Sequence, residues 1–353
     1  MVVKGKTLII FQWDTDEGEA TSKDLINSIK TGKYTDVIAV SPQEYEVNWL
    51  HITGYSARYV EKCLMAYNVT LTVIYGSLGR MFPARRDPKL NTSFIFLPLY
   101  FAYDVVSKDE NKMLLCDYKK TKHGISLFNK PHDFRCLTID HFAERGLLEF
   151  IDYSWNILTE NYQNKYYFKH WKEELRNLDE DFNITSDYHN SIPSEMKNSA
   201  VQIISESTNT GLFFTEKTFW AIARGMPFII LSQPGMNIIL EEFGFRNFTK
   251  ELDVLDIEEH FYAEASEDTP VDFDLYIKRM SNRLVKTFEN YTPEELRKRC
   301  YKKVLHNKKV LRSIWEQNKF IPKQLYLLME RTGVTLDDLR ISDSLNMENL
   351  FLK

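Results

Sequence analysis

Between residues 199 and 244 two hydrophobic patterns alternate, and that alternation restricts the fold more than any other feature of the chain. Ser199 to Ile204 is a short continuous apolar run with the length of a buried strand. A loop follows from Glu206 to Phe214, and TEKTFWAIARG then carries apolar residues at helical spacing. Thr215 stands where an N-cap hydroxyl accepts a first-turn amide, and Gly225 stands where a helix stops. Pro227 to Leu231 reads as the next strand, Gln233-Pro234-Gly235 as a turn, and MNIILEEFG as a helix closed by Gly244. Strand, helix and strand in succession predict a βαβ unit in a parallel, doubly wound sheet.

The first third repeats the pattern. Lys6 to Phe11, Asp36 to Val40 and the run VTLTVIYGS up to Gly76 read as strands. Leu25, Ile26 and Ile29 share a helix face stopped by Gly32, and Ala57, Val60, Leu64 and Tyr67 share another. Thr92 to Val106 adds further sheet, and Met113 to Cys116 resembles another strand. Phe134 to Arg145 reads as a helix ended by Gly146, and the chain from about Asp272 onward is mostly helical. A chain of 353 residues is comfortable as two domains. The polar stretch 156–198, with LDEDFN and TSDYHNSIPSE, is read as the connection between a domain at 1–155 and a second at 199–353.

Charge narrows the function classes. A formal net charge of −5 argues against a general nucleic-acid binder, which carries a surplus of Lys and Arg, though it leaves room for a local basic cleft. Cys63, Cys116, Cys136 and Cys300 lack C-x-x-C spacing and suit free, buried thiols in a reducing compartment. The start, MVVKGKTLIIFQW, holds too short an apolar run for a signal peptide. No stretch approaches the roughly 20 apolar residues that span a bilayer, so a cytoplasmic location without membrane contact is expected.

In an open parallel sheet, ligands gather at the carboxyl ends of strands, where loops and helix starts converge. Glu206 and the helix beginning at Thr215 take that position. The exposed amides of a helix start favour an anion such as a diphosphate, and Lys217 in the first turn adds a full positive charge. Glu206 and Glu216 are poor partners for phosphate but suit ribose and sugar hydroxyls. Plain capping by Thr-Glu-Lys-Thr and a solvated Glu206 are the structural alternatives.

The stretch SAVQIISESTNTGLFFTEKTFWAIARGMPFIILSQPGMNIILEEFGFRNF resembles the donor-site segment of the alpha-1,3-fucosyltransferase-like glycosyltransferases. It is closer still to glycosyltransferase-like proteins of tailed phages and large viruses. The shared order is a strand ending in Glu, a variable loop, a Thr-Glu-Lys helix start, a Gly/Pro-Phe strand and a Gly-Phe close. Upstream, LFNKPHDFRCLTIDHFAERGLLEFIDYSW is similar to the same group's Asn- and Arg-containing segment. The resemblance implies a GT-B fold, two Rossmann-like domains whose parallel sheets face a central cleft. It further implies that Glu206 and Glu216 contact the ribose or the transferred sugar, with Thr215 opening the donor-site helix. Arg135 and Lys217 would neutralise the diphosphate and Asn129 would shape the donor pocket. His132 and Asp133 precede Arg135 where the family usually has a second basic residue.

Expected of such an enzyme are a UDP- or GDP-sugar as cosubstrate, no tightly bound cofactor or metal, and an inverting displacement. No H-E-x-x-H or His/Cys cluster occurs. Asp14-Thr15-Asp16 mimics the D-x-D metal motif of the other glycosyltransferase fold but sits just after the first strand. On the acceptor side of a GT-B enzyme, Asp14, Asp16 and Glu17 are instead candidates for the general base. Arg80, Arg85 and Arg86 surround Phe82 in the loop GSLGRMFPARRDPKLN, a basic and aromatic combination suited to gripping nucleic-acid phosphates. The phage-like resemblance makes a hydroxymethylated base in duplex DNA a sensible acceptor. A glycan or glycoprotein acceptor, and a non-catalytic nucleotide-sugar-binding module, are the rival readings.

Overall fold

The computed structural model describes residues 2–11, 26–41, 57–76, 92–97, 99, 101–102, 105, 114–128, 133–155, 193–206, 214–264, 271–317 and 319–339. The chain divides into two units, one made of Met1–Lys108 with Ile314–Lys353 and the other of Asp109–Ser313. Each is a Rossmann-like α/β unit built on its own largely parallel sheet. Among the described residues no helix is long and apolar enough to cross a membrane.

The first unit holds five strands in the order β1-β2-β3-β4-β5. β1 (Val2–Lys4), β2 (Thr7–Phe11), β3 (Asp36–Ser41), β4 (Thr70–Tyr75) and β5 (Thr92–Phe96) include the predicted runs near Thr7, Asp36 and Thr70. The sheet predicted over Thr92 to Val106 stops at Phe96, and Phe101, Ala102 and Val105 are helical. At the start, Val2–Lys4 forms an antiparallel edge strand on β2 through a turn at Gly5, whose φ is +59°. The other pairings are parallel. Val37 and Ala39 of β3 and Leu71 and Val73 of β4 point alternately into one core, as the two-residue period of a strand requires. Ile26 and Ile29 cover that core together with Val60 and Leu64 of α1 (Ala57–Tyr67). The chain returns to this unit at its far end: Arg331 pairs with Asp36 at 2.9 Å, and Lys4 contacts Asp338.

In the second unit β6 (Lys122–Phe128), β7 (Ile151–Trp155), β8 (Ser199–Ser205) and β9 (Phe228–Leu231) form a parallel sheet ordered β7-β6-β8-β9. This sheet joins residues on both sides of the stretch predicted to connect two domains, because β6 pairs directly with β8. The helices are α2 (Asp133–Glu144), α3 (Ser194–Asn198), α4 (Glu216–Ala223), α5 (Met236–Ile239), α6 (Leu255–Glu264) and α7 (Phe273–Asn290). α8 (Pro293–Glu316) runs from this unit into the returning segment, where α9 (Lys323–Thr332) lies.

β6 was not legible as a strand because Gly124 interrupts its apolar run. A side chain there would place its Cβ 3.1 Å from Ile151 and 3.2 Å from the Val201 carbonyl, so the two flanking strands exclude one. The predicted strand at Met113–Cys116 is instead a 3-10 turn, Leu115–Asp117. Its amides pair with the carbonyls of Arg224 and Gly225 at the end of α4, which leaves them no strand partner. Beneath it the ammonium of Lys120 is buried and donates to Leu115 O and Lys197 O at 2.7 Å each. Burial lowers the Lys120 pKa to about 8.

At the amino edge of β6, His123 stacks on Phe288 with ring centroids 5.1 Å apart and meets the edge of Phe150. Its Nε2 bonds Tyr291 O at 2.9 Å. Burial lowers its pKa below the ordinary 6.5, and the Tyr291 carbonyl opposes this only in part. Below that ordinary value the unfolded chain therefore binds a proton that the folded chain resists. Unfolding free energy should fall as pH drops through about 6.5, and His123→Gln should flatten that dependence in urea titrations at pH 5 and 7.5. Parallel pH profiles for the two proteins would contradict this.

Candidate functional site

The chain leaves β6, lays β7 on one side of it, and then crosses to place β8 and β9 on the other. The strand order reverses between β6 and β8. Diverging connections leave a crevice at the carboxyl ends of two such strands, the usual ligand position in an open α/β sheet. Glu206 directly follows β8, and α2, which carries Arg135, is the first helix after β6.

Both predicted groups are buried there. Arg135 is 3% exposed and donates from Nε to Ser205 O at 3.1 Å, so a cation clasps the end of β8 one residue before Glu206. The Ser205 hydroxyl reaches Thr138 Oγ1 at 3.3 Å, tying the same strand end to α2 a second time. Glu206 is 2% exposed, which rules out a merely solvated loop residue. Its amide donates to Leu231 O, so β8 and β9 remain in register up to this position.

Thr215 does two jobs with one oxygen. It accepts the Lys217 amide at 3.2 Å as the N-cap of α4, and its hydroxyl donates to Glu206 Oε1 at 2.6 Å. The Lys217 ammonium lies 3.5 Å from Glu206 Oε2 and 2.9 Å from Glu216 Oε1. A buried carboxylate is costly unless paired and hydrogen-bonded, and this arrangement supplies both needs. Lys217 keeps 18% of its side chain exposed and Glu216 23%, so the outer side of the cluster meets solvent while Glu206 lies beneath. Phe214, buried against Phe219 and Phe243, anchors the residue before the cap.

A second helix start lies at the same edge, after β9, and it is already filled. Glu258 of α6 is fully buried and accepts from Gly235 N at 2.9 Å, Asn237 N at 3.4 Å, Asn237 Nδ2 at 3.1 Å and the Tyr276 hydroxyl at 2.7 Å. Burial raises the Glu258 pKa, against the pull of those donors. Asn237 also bonds both the amide and the carbonyl of Ile230, extending β9 with a side chain. An internal carboxylate thus occupies the amides of the α5 start, whereas the α4 start offers its positive end beside Lys217. Glu258 escaped the sequence reading. Its signal is an acid in phase with the apolar face of Val254 and Phe261.

No protein-family model matches the chain, and no curated protein matches it in sequence. Among solved structures it is similar to T4 phage BGT in complex with its UDP-glucose substrate, at 13% identity and a TM-score of 0.39, over 88% of this chain and 78% of that one. That likeness is distant.

Of the predicted site residues, Arg135, Glu206, Thr215, Glu216 and Lys217 are placed at the β6–β8 reversal. Asn129, the acidic group Asp14, Asp16 and Glu17, and the loop residues Arg80, Phe82, Arg85 and Arg86 lie outside the described residues. Among those described, no group of three or more His, Cys, Asp and Glu is arranged to hold a metal.

Replacing Thr215 by Ala removes a helix cap, worth about 1 kcal/mol. It also removes the hydroxyl from a buried carboxylate oxygen, worth about another 1–3 kcal/mol. Thr215→Ala should lower the unfolding free energy in urea by about 2–4 kcal/mol, with Thr215→Ser retaining most of it. Equal losses for both variants would show that the hydroxyl is not the stabilising group.

Proposed function

We propose that this chain is a GT-B glycosyltransferase that moves a sugar from a nucleotide-sugar donor to a hydroxyl acceptor. The observation carrying this reading is the convergence of Arg135, Glu206, Thr215 and Lys217 at the strand-order reversal of the second sheet. A buried acid with a cation and a helix start beside it matches the two halves of such a donor, hydroxyl-rich sugar or ribose and anionic diphosphate.

Departure of the nucleoside diphosphate builds negative charge on the bridging oxygen. Fixed cations and oriented amides stabilise that charge without reorganising, and the reading assigns this role to Lys217, Arg135 and the α4 start. In the folded chain Lys217 rests between two carboxylates. A ribose or sugar hydroxyl donating to Glu206 or Glu216 takes over part of the ammonium's role, and the ammonium then turns to the diphosphate. Such a site works without a metal. The reading also assigns Asn129 to shaping the donor pocket.

On the acceptor side, the reading assigns deprotonation of the attacking hydroxyl to one of Asp14, Asp16 and Glu17, with inversion at the anomeric carbon. Arg80, Phe82, Arg85 and Arg86 are assigned to grip duplex DNA, the acceptor being a hydroxymethylated base extruded from the stack. UDP- or GDP-sugars are the expected donors, with the second unit as the donor domain.

A thermal-shift panel of UDP-, GDP- and TDP-sugars checks the donor assignment. A cognate donor at 100 times its dissociation constant adds roughly 2.7 kcal/mol of stability. Lys217→Ala should abolish most of that gain, and an unchanged shift would remove Lys217 from the donor site.

A further inference from the structure

On the flank of the second unit, α6 and α7 enclose a concavity of about 320 Å³ lined by Asp256, Ile257, Arg279, Asn282, Arg283 and Lys286. None of these was singled out by the sequence. Four of the six lie on α7 at positions i, i+3, i+4 and i+7, which is one face of the helix. Three are cations in a chain whose net charge is −5.

Their partners divide them into two kinds. Arg283 is fixed: it donates to both carboxylate oxygens of Asp256 at 3.0 Å and to Asp253 O at 2.7 Å. Asp253 also lies 3.6 Å from Arg299, whose guanidinium stacks 4.1 Å from the Tyr291 ring centre, so a second cation flanks the same turn. The side chains of Arg279, Asn282 and Lys286, by contrast, make no hydrogen bond or ion pair among the described residues. Arg279 rests its guanidinium over the Phe261 ring at 5.5 Å and is exposed, as is Lys286. Stacking restricts the guanidinium without consuming its five donors.

We infer that this groove is a binding site for the phosphodiester backbone of a nucleic-acid strand, contacted without regard to sequence. Arg279 and Lys286 stand seven residues apart, about 10.5 Å along the helix. The flexible side chains at the two ends of that row can each take a different phosphate of one strand, with the Asn282 amide donating between them. Arg283, already neutralised by Asp256, sets the floor of the groove and contributes little net charge. An isolated phosphate would use one end of the row; a strand uses all of it. An acidic protein segment is less well matched, because the groove offers almost no apolar anchor beyond Ile257. The inference rests on the DNA-acceptor reading for its partner and on nothing at the donor site.

Duplex DNA binding by fluorescence anisotropy, from 50 to 200 mM salt, tests it in the full chain. Each phosphate neutralised contributes about 0.9 to the slope of log affinity against log salt, so Arg279→Ala with Lys286→Ala should reduce the slope by about 1.8. The ratio of affinities at the two salt concentrations then falls roughly 12-fold. Arg279→Lys with Lys286→Arg should keep the wild-type slope. The cognate-donor thermal shift in the double alanine variant reports that the fold and donor site survive. An unaltered slope with an intact donor shift overturns the groove alone, as does displacement of the DNA by poly-glutamate at lower concentration than by unlabelled duplex. Absence of any donor shift in the wild type overturns the proposed function and leaves the slope comparison readable.

Discussion

The arrangement at the end of β8 depends on one buried carboxylate. Glu206 has almost no access to water, so its charge is tolerable only because the Thr215 hydroxyl and the Lys217 ammonium are brought to it. Those two groups come from the start of α4, and the cap that begins α4 is the same Thr215 oxygen. Helix initiation, strand termination and charge neutralisation are therefore a single event. Glu206 at the end of β8 and Thr215 at the start of α4 lie within hydrogen-bonding distance of each other.

The neighbouring helix start shows what this edge does when no outside ligand is needed. At α5 the amides are satisfied from within by Glu258, and that acid is in turn held by Tyr276. Gly235 permits the approach: its φ is +98°, and a Cβ would meet the Tyr262 ring at 2.2 Å. One helix start is sealed by a carboxylate from the chain itself. The other is lined by a lysine that retains access to solvent. The contrast, more than the mere presence of helix starts, directs an anionic ligand to α4.

Much of the fold was legible because its strands are continuous apolar runs bounded by Gly, and because Gly32, Gly146, Gly225 and Gly244 all adopt the positive φ that ends a helix. What was missed has physical causes. β1 is a three-residue edge strand with exposed Val3, so burial left no pattern to read. β6 carries a glycine demanded by its neighbours, and without β6 the second sheet appeared to begin only at Ser199. The placement of the domain connection followed from that omission. At the site, TEK and the preceding Glu were readable because capping and charge act over a few residues. Glu258 and the α6–α7 groove arise from contacts between separate helices, and linear spacing records only half of each.

The return of the chain to its first unit bears on how the protein is made. Asp36 receives Arg331, and Lys4 receives Asp338, from residues that leave the ribosome some three hundred positions later. The second unit is thus inserted between two pieces of the first. The strands of the second unit all precede the segment 314–353 in the sequence, whereas the first unit draws on that segment for the partners of Asp36 and Lys4.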